Sequence, residues 1–487
     1  MISKLFLYRY RFVIGFLVLS ALYVALLFGL PLLSPNGLSE AEMVSATNSY
    51  NLHFDSVLKG DVVELPYRAL QKVSIMAFGF NTYAIKLPSI VLGLILGALL
   101  ILLLNRWFKS NVALLASILA VLSSSFLYLA GSGTPLIMLV FWPTMLLWLG
   151  SKIQGVTKPK PLYCFVFAFA LLAAIFTPHL IYLAAFIVLF AFLHPHLRFT
   201  IKNLPLIPLV LTGLIVIAGL AALVIAVIIN PEIIAELFLA KQITLNDFIT
   251  NLENAFLPFF AWNIAIESNF LSPFIGLASV TLAVIGLLST TKGFFASRNS
   301  IASCLIIFTI FLSGLNPESA ILILLPIAIL IAHGLRYILD KWYDLFPNNP
   351  YARISAFFPI GIFLGIMIIG DISHFIFGYR YVPMVADQFQ NDLTLIAEHV
   401  EPGSTIYVID DEVSYNFYKI YEDLGSYTIK DEFGADDRGD FATLGAQKNA
   451  PGTINDIITS PKSNNSDRIY LYTRINESEN ELITEGE

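Results

Sequence analysis

Long apolar runs alternate with short polar connections along most of this chain. A helix of roughly 17 to 25 apolar residues suffices to cross a hydrocarbon core about 30 Å thick. The pattern places such runs near 11–33, 86–105, 111–130, 134–150, 161–177, 179–194, 205–229, 271–290, 300–315, 318–338 and 353–377. It predicts a mainly α, polytopic membrane bundle of about 11 transmembrane helices. Two connections are too long for turns. Within 231–270, Ile233, Ile234, Leu237, Phe238, Leu245, Phe248, Ile249, Leu252 and Phe256 recur at three- and four-residue steps, the pattern of helices lying on a membrane surface. The loop 34–84 predicts two more, one starting at Ser39 and one from about Pro66 to Phe78, with Tyr67, Leu70, Val73 and Ala77 as its lipid-facing stripe.

From about residue 378 the pattern changes. Helical spacing over Asp392–Val400 and Tyr415–Leu424 alternates with buried-strand patterns at Thr405–Ile409 and Arg468–Tyr472, which predicts a small α/β domain over 378–475, separate from a membrane domain over 1–377. Residues 433–466, rich in Gly, Asp, Asn and Ser, read as loop, and 476–487 as a disordered tail. Asn476-Glu477-Ser478 fits the glycosylation acceptor pattern.

Composition agrees with the membrane reading: 57% of residues are apolar, 13% are charged, and the mean hydropathy is +0.76. Charge then orients the bundle. Alternate connections hold fifteen Lys or Arg residues, from Lys4, Arg9 and Arg11 to Arg336, Lys341 and Arg353, against the two acids Asp340 and Asp344. The intervening connections reverse this, with five basic residues beside eleven acids. The positive-inside rule therefore puts the N-terminus in the cytoplasm and the C-terminal domain outside. From about residue 378 to its end the chain carries 21 acids against 8 basic residues, a potential that repels phosphate backbones and excludes nucleic-acid binding. The first apolar run, about 22 residues after a basic start, reads as a retained helix rather than a cleaved leader. Cys164 and Cys304 fall inside spans and read as small core residues. No Walker loop, dinucleotide fingerprint or Ser/His/Asp set is evident.

The segments GLSEAEMVSA from Gly37 and LPYRALQKVSIMAFGFNTYAIKLPSIVLGLILGALLILLLNRWF from Leu65 resemble the first outer loop and second span of membrane glycosyltransferases with the C-type fold. The pattern is similar to the aminoarabinose lipid A transferase and dolichyl-phosphate-mannose protein mannosyltransferase group. In that group an acidic pair opens the loop and a G-N-x-x-A-x-R-L-P-S element leads into the span; here the element reads GFNTYAIKLPS, with Lys86 at the Arg. Fainter echoes are SGTPLIMLVFW from Ser132, IFTPHLIYL from Ile175 and LNPESAILILLPIAILIAHGL from Leu315. The likeness departs at three places: Ser39 stands at the leading acid, no acid follows the third span, and Arg68 is the cation nearest the position of a missing Lys.

The resemblance implies transfer of a sugar from a polyprenyl-phosphate-linked donor to a glycan, lipid or protein acceptor on the outer face of a prokaryotic plasma (inner) membrane, among its lipids. A carboxylate can activate the acceptor hydroxyl, and a cation can stabilise charge on the leaving phosphate. Glu40 and Glu42 are the catalytic candidates, and Arg68 and Lys86 the phosphate-binding ones. Whether a divalent metal, Mg or Mn, assists is left open. His53, Asp55, His179, Asp371 and His374 are further candidates for the cavity. Each has an alternative reading. Ser39 and Glu42 have the spacing of a capping box, Glu40 lies where a helix dipole favours any carboxylate, and Arg68 suits a headgroup anchor. His53 and Asp55 suit solvated loop, His179 an interfacial turn, and Asp371 and His374, at i and i+3, can pair with each other. Two other functions stay open: a non-catalytic relative that binds lipid-linked glycan or scaffolds an envelope complex, and a transporter.

Overall fold

The computed structural model describes residues 20–29, 37–154, 161–238, 243–261, 270–291, 297–348, 351, 355, 357–409, 411–433, 440–447, 449–459 and 468–473. The basic start of the first span, Lys241, the sequon at Asn476 and the tail 476–487 lie outside the described residues.

Each predicted apolar run contains a helix. Six are long and apolar enough to cross a membrane: Thr82–Trp107, Pro135–Gln154, Leu206–Ile229, Arg298–Leu315, Pro317–Leu345 and Phe358–Tyr381. A seventh span results if Ser110–Val121 and Ser124–Gly131, bent by 65° at their junction, are one. The bend has a local cause. Ser123 Oγ bonds the Ala120 carbonyl at 2.7 Å and Ser125 Oγ bonds the distant Phe274 carbonyl, so side chains compete with the helical ladder at the break. Ser20–Gly29, Pro161–Ile175, Leu180–Leu193 and Leu277–Thr290 are shorter apolar helices.

The bundle is built inside out relative to a water-soluble protein only at its rim. Of these six, Thr82–Trp107 and Pro317–Leu345 are the most enclosed. By contrast Ile207, Ile228, Ile366 and Ile369 each expose about two thirds of their surface or more, an apolar periphery that fits lipid because the helical backbone satisfies its own hydrogen bonds. Small residues draw helices together inside. A Cβ on Gly286 would meet the Leu330 carbonyl oxygen at 2.0 Å and one on Gly334 that of Leu282 at 2.2 Å, so Leu277–Thr290 and Leu324–Leu345 cross backbone to backbone.

The first long connection folds as a short strand, β1 (Leu38–Ser39), and the helices Glu40–Tyr50, Phe54–Leu58 and Leu65–Phe78. Ser39 and Glu42 form the capping box their spacing predicts. The stripe on Leu65–Phe78 differs by one residue from expectation. Leu70, Val73, Met76 and Phe78 are exposed, whereas Tyr67 is fully buried and shares a 2.8 Å hydrogen bond with Ser89; a phenol with a partner inside the bundle is drawn inward. In the other long connection, Glu232–Leu237 and Leu245–Phe256 are helical. Ile233 and Leu237 pack on Val62, Ile175 and Leu223, and Asn251 Nδ2 bonds the Gly314 carbonyl at 3.1 Å, so this segment leans over the bundle end as well as facing outward.

After Phe357–Tyr381 the chain forms β2 (Phe389–Gln390), the helices Asp392–His399 and Glu412–Asp423, and the strands β3 (Thr405–Tyr407), β4 (Thr428–Lys430), β5 (Phe441–Leu444), β6 (Thr453–Thr459) and β7 (Arg468–Thr473). The sheet order is β4-β3-β5-β7-β6, with β3 parallel to β4 and β5, and β7 antiparallel to β5 and β6. β5 and β6 fall inside the stretch predicted as loop. β5 is only four residues long, and β6 is an edge strand with one buried residue in seven, so little hydrophobic alternation marks it.

Composition predicts this region to be a separate unit, yet it shares a core with the first connection. β1 pairs with β2, and Gly37 (φ +87°) approaches so closely that a Cβ there would meet the Gln390 carbonyl oxygen at 2.1 Å. Met43, Ala46, Ile75, Phe80 and Ile85 join Leu393, Ile396, Phe417 and Tyr421 in one buried cluster. Phe80 lies 4.9 Å from Phe417 and 5.5 Å from Tyr421, ring centre to ring centre. Phe80→Ala should therefore cost about 3–5 kcal/mol and expose the C-terminal region to protease; thermal unfolding in detergent with limited proteolysis checks this. Wild-type melting and cleavage would show that the two regions do not hold each other.

Candidate functional site

The site is framed by a buried polar network that local sequence arranges. The capping box turns Glu42 inward at the start of Glu40–Tyr50, where Oε2 accepts the Ser39 amide at 2.8 Å and Oε1 the Gly133 amide at 2.5 Å. Lys86, one turn into Thr82–Trp107, places Nζ 3.7 Å from Glu42 Oε1 and donates to the Gly37 carbonyl at 2.7 Å. Both side chains are fully enclosed. Gln71 completes the frame: its Oε1 accepts from Ser45 and Ser49 at 3.0 and 2.7 Å, and its Nε2 donates to the carbonyls of Ile85 and Gly133 at 3.0 and 2.9 Å. The surface helices, the start of the span and the Gly131–Thr134 turn are thereby locked together through charged and neutral bonds alike.

Beside this frame, at the same end of the bundle, lies a cavity of about 1020 Å³. Four loop segments line it: Asn48 to Arg68 of the first connection, the Thr177–His179 turn, Ala235 to Asn251, and Leu315 to Glu318, with Pro135, Leu136 and Leu139 beneath. Its charge is lopsided. Asp61, Glu64, Glu236, Asp247 and Glu318 line it with Arg68 as the one Lys or Arg among the described residues.

Arg68 is heavily committed. Its guanidinium grips Asp61 with both terminal nitrogens, one of these at 2.8 Å, and donates to the carbonyls of Asn48 at 2.8 Å and Val63 at 3.3 Å. This planar fork is the geometry that also fits a phosphate. Asp61 retains 39% side-chain exposure, so the partner that occupies the fork faces the cavity. Glu64, the residue before Leu65–Phe78, is raised to about 7 by desolvation in the cavity wall and by the nearby carboxylates of Glu318 and Glu236, with Arg68 opposing. His179 is enclosed, shares a 2.5 Å hydrogen bond between Nδ1 and Ser319 Oγ, and is lowered to about 4 by burial, so it is neutral near pH 7. Glu64 (φ +56°) and His179 (φ +69°) are the two non-glycine residues of positive φ among those described. Both line the cavity, and the Glu64 amide bonds the Phe176 carbonyl at 2.8 Å. Such conformations cost of order 1–3 kcal/mol each and persist where surrounding structure enforces them.

The sequence candidates separate accordingly. Arg68 and His179 line the cavity. Glu42 and Lys86 do not; they are buried in the frame with each other. Glu40 is exposed in the first turn of its helix, and His53 and Asp55 are exposed around Phe54–Leu58, all outside the cavity lining. His374 bonds Ser124 Oγ at 3.2 Å and the Ser272 carbonyl at 3.1 Å rather than Asp371, whose carboxylate packs against Gly276; neither residue lines the cavity. Asp61, Glu64, Glu236, Asp247 and Glu318 were legible only as outer-loop acids, because the loops that unite them are far apart in the chain. No group of three or more His, Cys, Asp or Glu among the described residues is arranged to hold a metal ion.

The family described as dolichyl-phosphate-mannose-protein mannosyltransferase matches residues 66–225. No curated protein matches the chain by sequence. Among solved structures, the chain is similar to ArnT from Cupriavidus metallidurans bound to undecaprenyl phosphate, with TM-score 0.53 and 12% identity over 94% of this chain and 98% of that one. The apo state of the same protein gives 0.52 and 12% with equal coverage. The Archaeoglobus fulgidus oligosaccharyltransferase tethered to an acceptor peptide gives 0.50 and 13% over 87% of this chain and 64% of that one. At these identities the likeness shows the fold, which is the C-type fold of membrane glycosyltransferases.

If Glu42 and Lys86 hold the frame, Lys86→Met leaves a carboxylate buried without its cation and should cost about 3–5 kcal/mol, some of which Glu42→Gln in the same chain restores. Thermal unfolding of the single and double variants measures this. Unchanged melting of Lys86→Met would remove the pair from the frame.

Proposed function

We propose that this protein is a membrane glycosyltransferase that takes a sugar from a polyprenyl-phosphate-linked donor and delivers it to a glycan, lipid or protein acceptor at the outer face. The observation that carries the reading is the cavity, built by four loops at one end of a C-type bundle and lined by carboxylates around a single Arg fork. Transfer needs both kinds of group. A carboxylate takes the acceptor proton, and a preorganised cation meets the charge that develops on the departing phosphate.

Arg68 is the residue for the second task. Asp61 occupies its fork in the absence of ligand, and a donor phosphate fits the same bidentate geometry, so donor binding exchanges one anion for another on a fixed guanidinium. That ArnT was solved with undecaprenyl phosphate and that the matched family is named for a dolichyl-phosphate-linked donor supports a lipid-linked phosphate here. Glu42 and Lys86 then act as supports, and Glu40, off the cavity, is displaced as the first choice of base by the cavity carboxylates.

Purified protein in lipid, given labelled polyprenyl-phosphate sugars and membrane extract, should transfer label. Binding of such donors without turnover would assign the non-catalytic reading instead, and neither binding nor turnover across a broad panel would end the proposal. Arg68→Lys keeps the charge and loses the fork, so donor affinity should fall about ten- to a hundredfold; an unchanged donor KM would take the phosphate away from Arg68.

Orientation is tested separately. With Cys164 and Cys304 replaced, cysteines introduced at Ser56 and Ser426 should react with an impermeant reagent on intact cells and one at Ser297 should not. The opposite pattern would turn the cavity to the cytoplasm.

A further inference from the structure

We infer that Glu64 is the base that takes the proton of the acceptor hydroxyl, an assignment that rests on the transferase reading above. Three of the four other cavity carboxylates are less suited, and the fourth, Glu318, follows Pro317 at the start of a 3-10 turn with its amide bonded to Asn316 Oδ1 at 2.9 Å. Asp61 is held in the Arg68 fork, Asp247 Oδ2 accepts both the amide and the hydroxyl of Thr244 at 2.9 and 2.7 Å, and Glu236 lies on an exposed helix face. Glu64 makes no side-chain hydrogen bond or ion pair among the described residues, although it precedes a helix whose first amides need acceptors. A residue at that position with a short polar side chain and no strain would serve the helix better. Instead a left-handed Glu, stapled by its amide to Phe176, turns a carboxylate with free lone pairs to the cavity wall. Enforced strain at a position with no structural gain is the expected mark of a functional group.

The step balances without an added reactant. The acceptor O–H bond breaks toward Glu64, the acceptor oxygen forms a bond to the anomeric carbon, and the carbon–oxygen bond to phosphate breaks with its electron pair leaving on the polyprenyl phosphate. Glu64 then returns its proton to water through the open cavity. The charged and titratable groups on the surrounding walls are Asp61, Arg68, His179, Glu236, Asp247 and Glu318. His179 is neutral near pH 7 and only Arg68 favours the ionised form, so burial first, and the Glu318 and Glu236 carboxylates after it, raise Glu64 to about 7. Such a base loses its function as pH falls through about 7.

The test uses the full-length protein in lipid with a polyprenyl-phosphate sugar that the wild type turns over. Glu64→Gln should lower turnover by about two to four orders of magnitude, leave affinity for the polyprenyl phosphate itself unchanged, and abolish the rise in rate between pH 6 and about 8. Glu64→Asp, which keeps a carboxylate, should recover some of the rate and the pH dependence. Folding gives an independent reading. A raised carboxyl favours the folded state below its unfolded value and loses that advantage as pH rises through about 7, so Glu64→Gln should melt above the wild type at pH 8 and with it at pH 4. A wild-type rate and pH profile in Glu64→Gln overturns the assignment while leaving the transferase reading intact. If Glu64→Gln binds polyprenyl phosphate more weakly in proportion to its lost turnover, Glu64 is a binding group and the inference also fails. Absence of turnover by the wild type itself rejects the transferase reading and this assignment with it.

Discussion

The contact between Glu42 and Lys86 is the constraint on which the cavity end of this molecule depends. Neither group can be enclosed alone at tolerable cost, and the pair is enclosed only because the Ser39 amide, the Gly133 amide and the Gly37 carbonyl take up their remaining valences. Satisfying them forces three chain segments into one place: the start of the first surface helix, the start of the second apolar helix and the turn after Gly131. Gln71 adds the second surface helix by the same logic, using an amide that offers donors to two carbonyls and an acceptor to two hydroxyls. Once these are set, Arg68 and Glu64 at the near end of that helix have no freedom to point elsewhere.

The cavity that follows is unusual in its balance of charge. A site for a phosphate-bearing lipid is expected to be rich in cations, yet the described wall offers one guanidinium among five carboxylates. The arrangement makes sense if the anion is recognised by geometry rather than by summed charge. A rigid fork already desolvated and already filled by Asp61 needs no reorganisation when one anion replaces another, and the surrounding acids disfavour anions held anywhere else. Two of these acids, Glu318 and Glu236, add to the burial that raises Glu64, so the charge distribution of the wall acts on its carboxyl as well.

The C-terminal region belongs to this arrangement mechanically. Through β1–β2 pairing and the Phe80–Phe417–Tyr421 cluster it clamps the outer side of the surface helices whose inner side carries the frame. The helices that present Arg68 and Asn48 are therefore held from two directions, one polar and one apolar, and their exposed stripe of Leu70, Val73 and Met76 is left for lipid. Strain at Glu64 and His179 persists because neither loop can relax against such a mount.

Read by itself, the chain determined its membrane character, the placement of its apolar helices, the capping box at Ser39 and the strands of highest alternation. These are local properties, set by hydrophobic period and by side-chain to backbone bonds within a few residues. The likeness in the first hundred residues pointed to the loop that carries Arg68, which lines the cavity, because the surface helices and the start of the span are contiguous in the chain. Tertiary structure alone decided the rest. Glu42 and Lys86 read as candidates for chemistry, and only the structure shows them buried against each other, since nothing in a sequence states whether a carboxylate faces water or a buried ammonium. Glu64, Glu236, Asp247 and Glu318 meet only when loops far apart in sequence close over one end of the bundle. The shared core between Phe80 and the C-terminal helix was hidden for the same reason: composition marks a domain by what its segment contains, whereas burial depends on what that segment touches.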